Sequence, residues 1–189
     1  MTDKRYDLAL CLDPNTTRLV AEALEGWHLR AAAVIGPDFT DIHGFHQRYG
    51  QQIEATLTNN PSPLVLSSRV VVTSGGPTLQ DILPLGVPAV VISQPAQYLR
   101  CRELARQGLC IHVRQTEQPS LLHLAEVITG LLANETKRQD MTARVNLLGN
   151  IGNRGLPVTA PARPFNTTLT PSASRKHCGA PPVLADADV

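Results

Sequence analysis

A chain of 189 residues, 42% hydrophobic and carrying a formal net charge of +1, is long enough for one self-sufficient domain with a tail. Near-neutral charge and an aromatic content of only 4% argue against a nucleic-acid partner, which needs a basic face or stacking rings. No apolar run approaches the ~20 residues of a membrane span, and no apolar signal region follows the charged opening Met1-Thr2-Asp3-Lys4-Arg5, so the expectation is a cytoplasmic protein.

In chain order, short apolar runs alternate with helical patterns. Strands are predicted at Leu8–Leu12, Leu29–Ile35, Ile53–Leu57 (the weakest), Val70–Thr73, Ala89–Ile92 and Cys110–Val113. Most are continuous apolar runs, which fits strands covered on both faces. Between the first two, Pro14 and Asn15 open a helix with Leu19, Val20, Ala23 and Leu24 on one stripe, and Gly26 stops it. Further helices are expected at Asp41–Gln52, at Thr78–Leu85 before Gly86, and at Gln97–Gln107 before Gly108. A long terminal pattern begins at Ser120 and sets Leu121, Leu124, Ala125, Ile128, Leu131 and Leu132 on one face. Repeated strand–helix units with short connections predict an α/β fold with a doubly wound, mostly parallel, Rossmann-like sheet.

After Leu156 the character changes. Pro157 to Val189 holds prolines at 157, 161, 164, 171, 181 and 182 among Ala, Thr and Ser, without periodicity. Such a segment buries too little apolar surface to offset its ordering entropy, so residues 157–189 are expected to be a disordered tail on a 1–156 domain. The four cysteines, Cys11, Cys101, Cys110 and Cys178, include no Cys-x-x-Cys pair. They read as buried small hydrophobes in a reducing compartment, with Cys178 exposed in the tail. His43 and His46 lack a third ligand and read as a solvated helix face. His112 reads as a satisfied strand residue and Trp27 as packing a loop. Neither a metal nor a cofactor is expected.

In a doubly wound sheet, ligands bind beyond the carboxyl ends of the strands. Val70-Val71-Val72-Thr73 is the most β-branched run and runs into Ser74-Gly75-Gly76-Pro77-Thr78 before a helix. The glycines permit a tight turn and a ligand's approach, and a following helix start offers N–H groups to a phosphate. By itself, a Gly-Gly turn between strand and helix is more often only a turn.

The stretch from Ser74 to Ala89, with Asp81 three residues after Thr78 and a Gly86-Val87-Pro88 step into the next strand, resembles the nucleotide-sugar signature of the GT-B superfamily. It is similar in particular to the family holding the peptidoglycan N-acetylglucosaminyltransferase and the UDP-sugar hydrolases of pseudaminic acid synthesis, related to spore-coat polysaccharide proteins. A second block, Gln97 to Gly108, resembles that family's Gln-led helix ending in glycine. Asp13-Pro14-Asn15-Thr16-Thr17 resembles the hydrolases' first loop. The likeness covers about Leu8 to Leu156 and corresponds to the C-terminal, nucleotide-binding half of that fold.

The resemblance implies that Ser74, Gly75, Gly76 and Thr78 hold a diphosphate, that Asp81 meets the ribose diol, that Gln97 contacts the sugar, and that Asp13 and Asn15 belong to the first loop of the same site. It implies a UDP-sugar or other nucleotide-sugar as ligand. It also implies surface-polysaccharide or sialic-acid-like sugar synthesis as setting, and a separate acceptor-domain chain as a partner that supplies the other half of the cleft. The departures are an Asp81 where relatives carry Glu, an Arg100 where they carry a small or amide residue, and a first loop without its Gly-Gly. A non-catalytic binding or scaffold domain is the alternative reading.

Overall fold

The computed structural model describes residues 4–114 and 120–152; the proline-rich segment read as a tail, with Cys178, lies outside the described residues. The strands are β1 (Tyr6–Cys11), β2 (Ala31–Ile35), β3 (Ile53–Leu57), β4 (Ser68–Ser74), β5 (Ala89–Ser93) and β6 (Ile111–Arg114). They form one six-stranded sheet in the order β3-β2-β1-β4-β5-β6, and every neighbouring pair is parallel. The helices are α1 (Pro14–Ala23), α2 (Ile42–Tyr49), α3 (Ser62–Leu66), α4 (Pro77–Ile82), α5 (Tyr98–Arg106), α6 (Leu121–Ala133) and α7 (Glu135–Gly152).

The period-two alternation of strand side chains divides the core between the two faces of the sheet. Leu8, Leu10, Val70, Val72, Val90 and Ile92 point to one face, where Val20 of α1, Phe45 of α2 and Leu124, Ile128 and Leu131 of α6 cover them. Ala9, Val71, Ala89 and Val91 point to the other, beneath Leu64 and Val65 of α3, Leu79 and Ile82 of α4 and Cys101 of α5. Val70, Val71 and Val72 of β4 are wholly buried, and each such side chain stabilises the fold by roughly 1.5–3 kcal/mol relative to its exposure. β4 is therefore central, as its β-branched run predicts, while β3 is an edge strand and leaves Leu57 75% exposed.

Gly26, Gly86 and Gly108, the three expected helix stops, have φ of +85°, +71° and +73°. This left-handed conformation is one that only glycine adopts without penalty.

Four details differ from the sequence reading. The helix expected to reach Leu85 ends at Ile82 and tightens into a 3-10 turn over Leu83–Leu85, because Pro84 has no N–H for the α-helical ladder. The long terminal pattern is two helices, parted at Asn134, whose backbone is extended and whose Oδ1 accepts from the Lys137 N–H at 2.9 Å. α3 is a single turn, too short for helical periodicity to register. Trp27, expected to pack a loop, stays 42% exposed.

Candidate functional site

The strand order reverses direction between β1 and β4, which lie side by side with Cys11 opposite Thr73. The β1–α1 loop (Leu12, Asp13) and the β4–α4 turn (Gly75, Gly76) thus meet at the point where this sheet geometry opens a crevice. β5 is in register with β4, Ile92 opposite Ser74, and carries the chain through the 3-10 turn Pro95–Gln97 to the start of α5. The fold therefore gathers Asp13, Asn15, Ser74, Gly75, Gly76, Thr78 and Gln97 at the carboxyl ends of three adjacent strands. Asp81 lies exposed on α4, beyond Thr78.

The two helix starts at this crevice differ. At α1 the Asp13 carboxylate accepts from the N–H groups of Asn15 and Thr16, both at 3.1 Å. That N-cap satisfies donors a phosphate would otherwise use, and it sets a negative charge in their place. At α4 the N-cap is Gly76, with no capping side chain, and Pro77 at the first helical position withdraws one N–H. Of the two, the β4–α4 turn is the one open to an anion.

The reason for glycine in this turn also differs from the sequence reading. Gly76 has φ −84°, and neither Gly75 nor Gly76 is among the positive-φ glycines. A Cβ on Gly75 would overlap the Cys101 Sγ and come within 3.0 Å of Gln97 Oε1. Gly75 is required by the chain's own packing. On Gly76 a Cβ would stand 3.2 Å from Gln97 Nε2 and 3.9 Å from Ser74 Oγ, so this position is the roomier of the two. The Gln97 amide thus spans both glycines, and its Oε1 is buried without a hydrogen-bond partner. A buried acceptor left unpaired costs about 1–3 kcal/mol.

Cys101, directly under Gly75, escaped the sequence reading as a site residue. Its spacing of four from Gln97 was the available signal, since residues i and i+4 share a helix face. Its Sγ lies 4.0 Å from the Gly75 carbonyl oxygen, and the Cys110 Sγ lies 4.0 Å from the Cys101 carbonyl oxygen. Burial pushes the Cys101 thiol up, and the Cys11 and Cys110 thiols up to about 12. Burial thus favours the protonated thiols, which pack as small apolar groups.

A second polar contact anchors the start of α5. Ser93, the buried last residue of β5, and His112 of β6 share a hydrogen bond of 2.6 Å between Oγ and Nε2. The Tyr98 ring packs on the imidazole at 5.4 Å between centroids, and the Arg114 guanidinium lies 5.2 Å from the Tyr98 centroid. Burial lowers the His112 pKa, which favours a neutral imidazole. His43 and His46 are exposed on α2, with His43 Nε2 3.0 Å from Gln47 Nε2. Among the described residues no three His, Cys, Asp or Glu side chains gather as a metal site. No described helix is long and apolar enough to cross a membrane.

A parallel sheet in this strand order, with its glycine turn at the β1–β4 reversal, defines a Rossmann-like α/β architecture. The chain belongs to the family described as the glycosyltransferase family 28 C-terminal domain, whose profile matches residues 28–150. It is accordingly a GT-B glycosyltransferase C-terminal domain. Among solved structures it is similar to MurG of Acinetobacter baumannii at 14% identity and a TM-score of 0.61, over 78% of this chain and 46% of that one. It is similar to a UDP-glucose:anthocyanidin 3-O-glucosyltransferase in complex with UDP, at 16% identity and a TM-score of 0.61, over 80% and 36%. The glycosyltransferase VinC in complex with dTDP follows at 14% and 0.58, over 81% and 41%. The chain thus spans less than half the length of each, and at these identities the likeness is one of fold. None of the curated proteins compared matches it.

Proposed function

We propose that this domain binds a nucleotide-sugar, with UDP as the nucleotide, at the Ser74–Thr78 turn and serves as the donor half of a glycosyl-transferring enzyme. The observation that carries the reading is the uncapped Gly76 turn at the β1–β4 reversal, with the Gln97 amide laid across it and its Oε1 unpaired. Family membership supports it, as do the UDP and dTDP bound in two of the similar structures. In this reading the N–H groups of Gly76 and Thr78 and the hydroxyls of Ser74 and Thr78 bind the diphosphate. They stabilise its charge as it departs while the glycosyl group passes to an acceptor. Asp81 reaches the ribose diol, and Gln97 meets the sugar. The acceptor side of the cleft comes from a separate acceptor domain.

One observation favours a second reading, a binding module without turnover. The Asp13 carboxylate already occupies the α1 N-terminus, so the first loop offers an anion no donors there.

Titration of the full chain with UDP, followed by amide NMR shifts, tests the proposal. Two or three hydrogen bonds to a charged phosphate, each contributing about 1.5–3 kcal/mol, support micromolar to millimolar affinity after the costs of association. The expected result is saturable shifts at Gly75, Gly76 and Thr78, lost in Gly76→Val while its circular dichroism is unchanged. Asp81→Ala should weaken UDP more than its 2′,3′-dideoxy counterpart. Unmoved Gly75, Gly76 and Thr78 amides at millimolar UDP would overturn the reading.

A further inference from the structure

At the opposite end of β4, about 20 Å from the glycine turn at the strand's rise per residue, a cavity of about 580 Å³ opens between the strand starts and α7. Its volume lies within the ~300–1,000 Å³ range of small-molecule sites. Leu66, Leu85, Val87 and Pro88 give it an apolar wall, and α7 faces them with a single stripe at positions 135, 138, 139, 142, 143 and 146. That spacing of three and four is one helix face. The Thr142 hydroxyl donates to the Gly86 carbonyl at 2.8 Å and ties that face to the opposite wall.

The charge around this cavity is lopsided. Lys4, Arg69 and Arg138 line it, and Glu135 is the one carboxylate among its lining residues. Each cation is held in place with donors to spare. Lys4 Nζ donates to the Leu66 carbonyl at 2.5 Å, and Arg69 Nη1 donates to Asp7 Oδ1 at 3.3 Å. Arg138 Nη1 donates to the Leu131 and Leu132 carbonyls at the end of α6. An ammonium has three donors and a guanidinium five, so most remain for an incoming group. Burial lowers the Arg138 pKa, and repulsion from the nearby Arg69 lowers it further against the opposing pull of Glu135. An anion between the two arginines relieves that repulsion, and fixed donors make its binding cost less ordering entropy.

We infer that this cavity binds a small amphipathic organic anion, its carboxylate or phosphate head between Lys4, Arg69 and Arg138 and its apolar body against Leu66, Leu85, Val87 and Pro88. The site is separate from the glycine turn and does not depend on what binds there.

The test uses the full chain, amide NMR shifts and four probes: octanoate, octyl phosphate, octanol and inorganic phosphate. The two amphipathic anions should produce saturable shifts at Ser68, Gly86, Val87 and Asn146, and comparison of their affinities distinguishes a carboxylate from a phosphate ligand. Octanol and inorganic phosphate, each lacking half of the chemistry, should bind at least about tenfold more weakly. Lys4→Gln and Arg69→Gln should each weaken the better anion about tenfold while leaving the melting temperature and the UDP response at Gly75 and Gly76 as in the parent. Gly76→Val should leave it unchanged, so failure here and failure of the nucleotide reading are told apart. Three results would each overturn the assignment: no saturable shift with either anion at millimolar concentration, octanol binding as well as octanoate, or anion affinity indifferent to both substitutions.

Discussion

Gly75 and Gly76 occupy adjacent positions and answer to different physics. Gly75 lacks a Cβ because Cys101 and Gln97 fill the space, so its identity concerns packing beneath the turn. Gly76 faces the roomier side and the uncapped start of α4. This distinction yields a stability prediction that does not involve a ligand. Gly75→Ala should destabilise the chain by about 1–3 kcal/mol, the cost of overpacking a close-packed site. Adding Cys101→Ala removes the colliding sulfur, so the double variant should recover at least about 1 kcal/mol relative to the sum of the single changes. Urea denaturation of the four proteins measures the coupling. Strict additivity would mean that the two positions do not touch.

Among the elements, the start of α5 decides where the Gln97 amide lies. Three contacts hold it: the 3-10 turn Pro95–Gln97, the Ser93–His112 hydrogen bond beneath it, and the Tyr98 ring packed on His112. Burial depresses the folded-state pKa of His112 below the unfolded value of 6.5. The unfolded chain therefore binds more protons than the folded one between those two values, and stability rises with pH across that window. As pH falls below about 6.5 this contribution is progressively lost, and the loss levels off beneath the folded-state pKa. Thermal denaturation from pH 7.5 to 5 should show that decline, and His112→Gln should flatten it. An identical slope in the variant would assign the pH dependence to other groups. Because Tyr98 follows Gln97 directly, the variant should also weaken UDP.

At the scale of the whole molecule, the proposed boundary after Leu156 and the proposed half-cleft each make a measurable statement. Composition alone motivates the boundary: the proline-dense segment has no apolar periodicity with which to pack. Removing residues 157–189 should shift the melting temperature by no more than about 1–2 °C, the change a few tenths of a kcal/mol gives in a domain of this size. A drop several times larger would show that the segment packs on the domain. The half-cleft predicts that the pure chain releases no nucleotide from UDP- or CMP-sugars, because one domain neither excludes water nor presents an acceptor-side base. Turnover by the chain alone would place a catalytic base among residues so far given only structural roles.

The sequence by itself determined the parallel α/β architecture and nearly every element. Continuous apolar runs such as Val70–Thr73 report burial on both faces, and glycines at 26, 86 and 108 end helices by local backbone preference. These are short-range properties, encoded within a few residues. The resemblance of the Ser74–Ala89 and Gln97–Gly108 blocks pointed to the family whose profile the chain matches. What local preference does not encode is which segments meet. Only the tertiary structure set Cys101 under Gly75 and brought His112 to Ser93 across nineteen positions. Only it gathered Lys4, Arg69 and Arg138 around one cavity. It also set the Asp13 carboxylate over the start of α1, where it accepts from the N–H groups of Asn15 and Thr16.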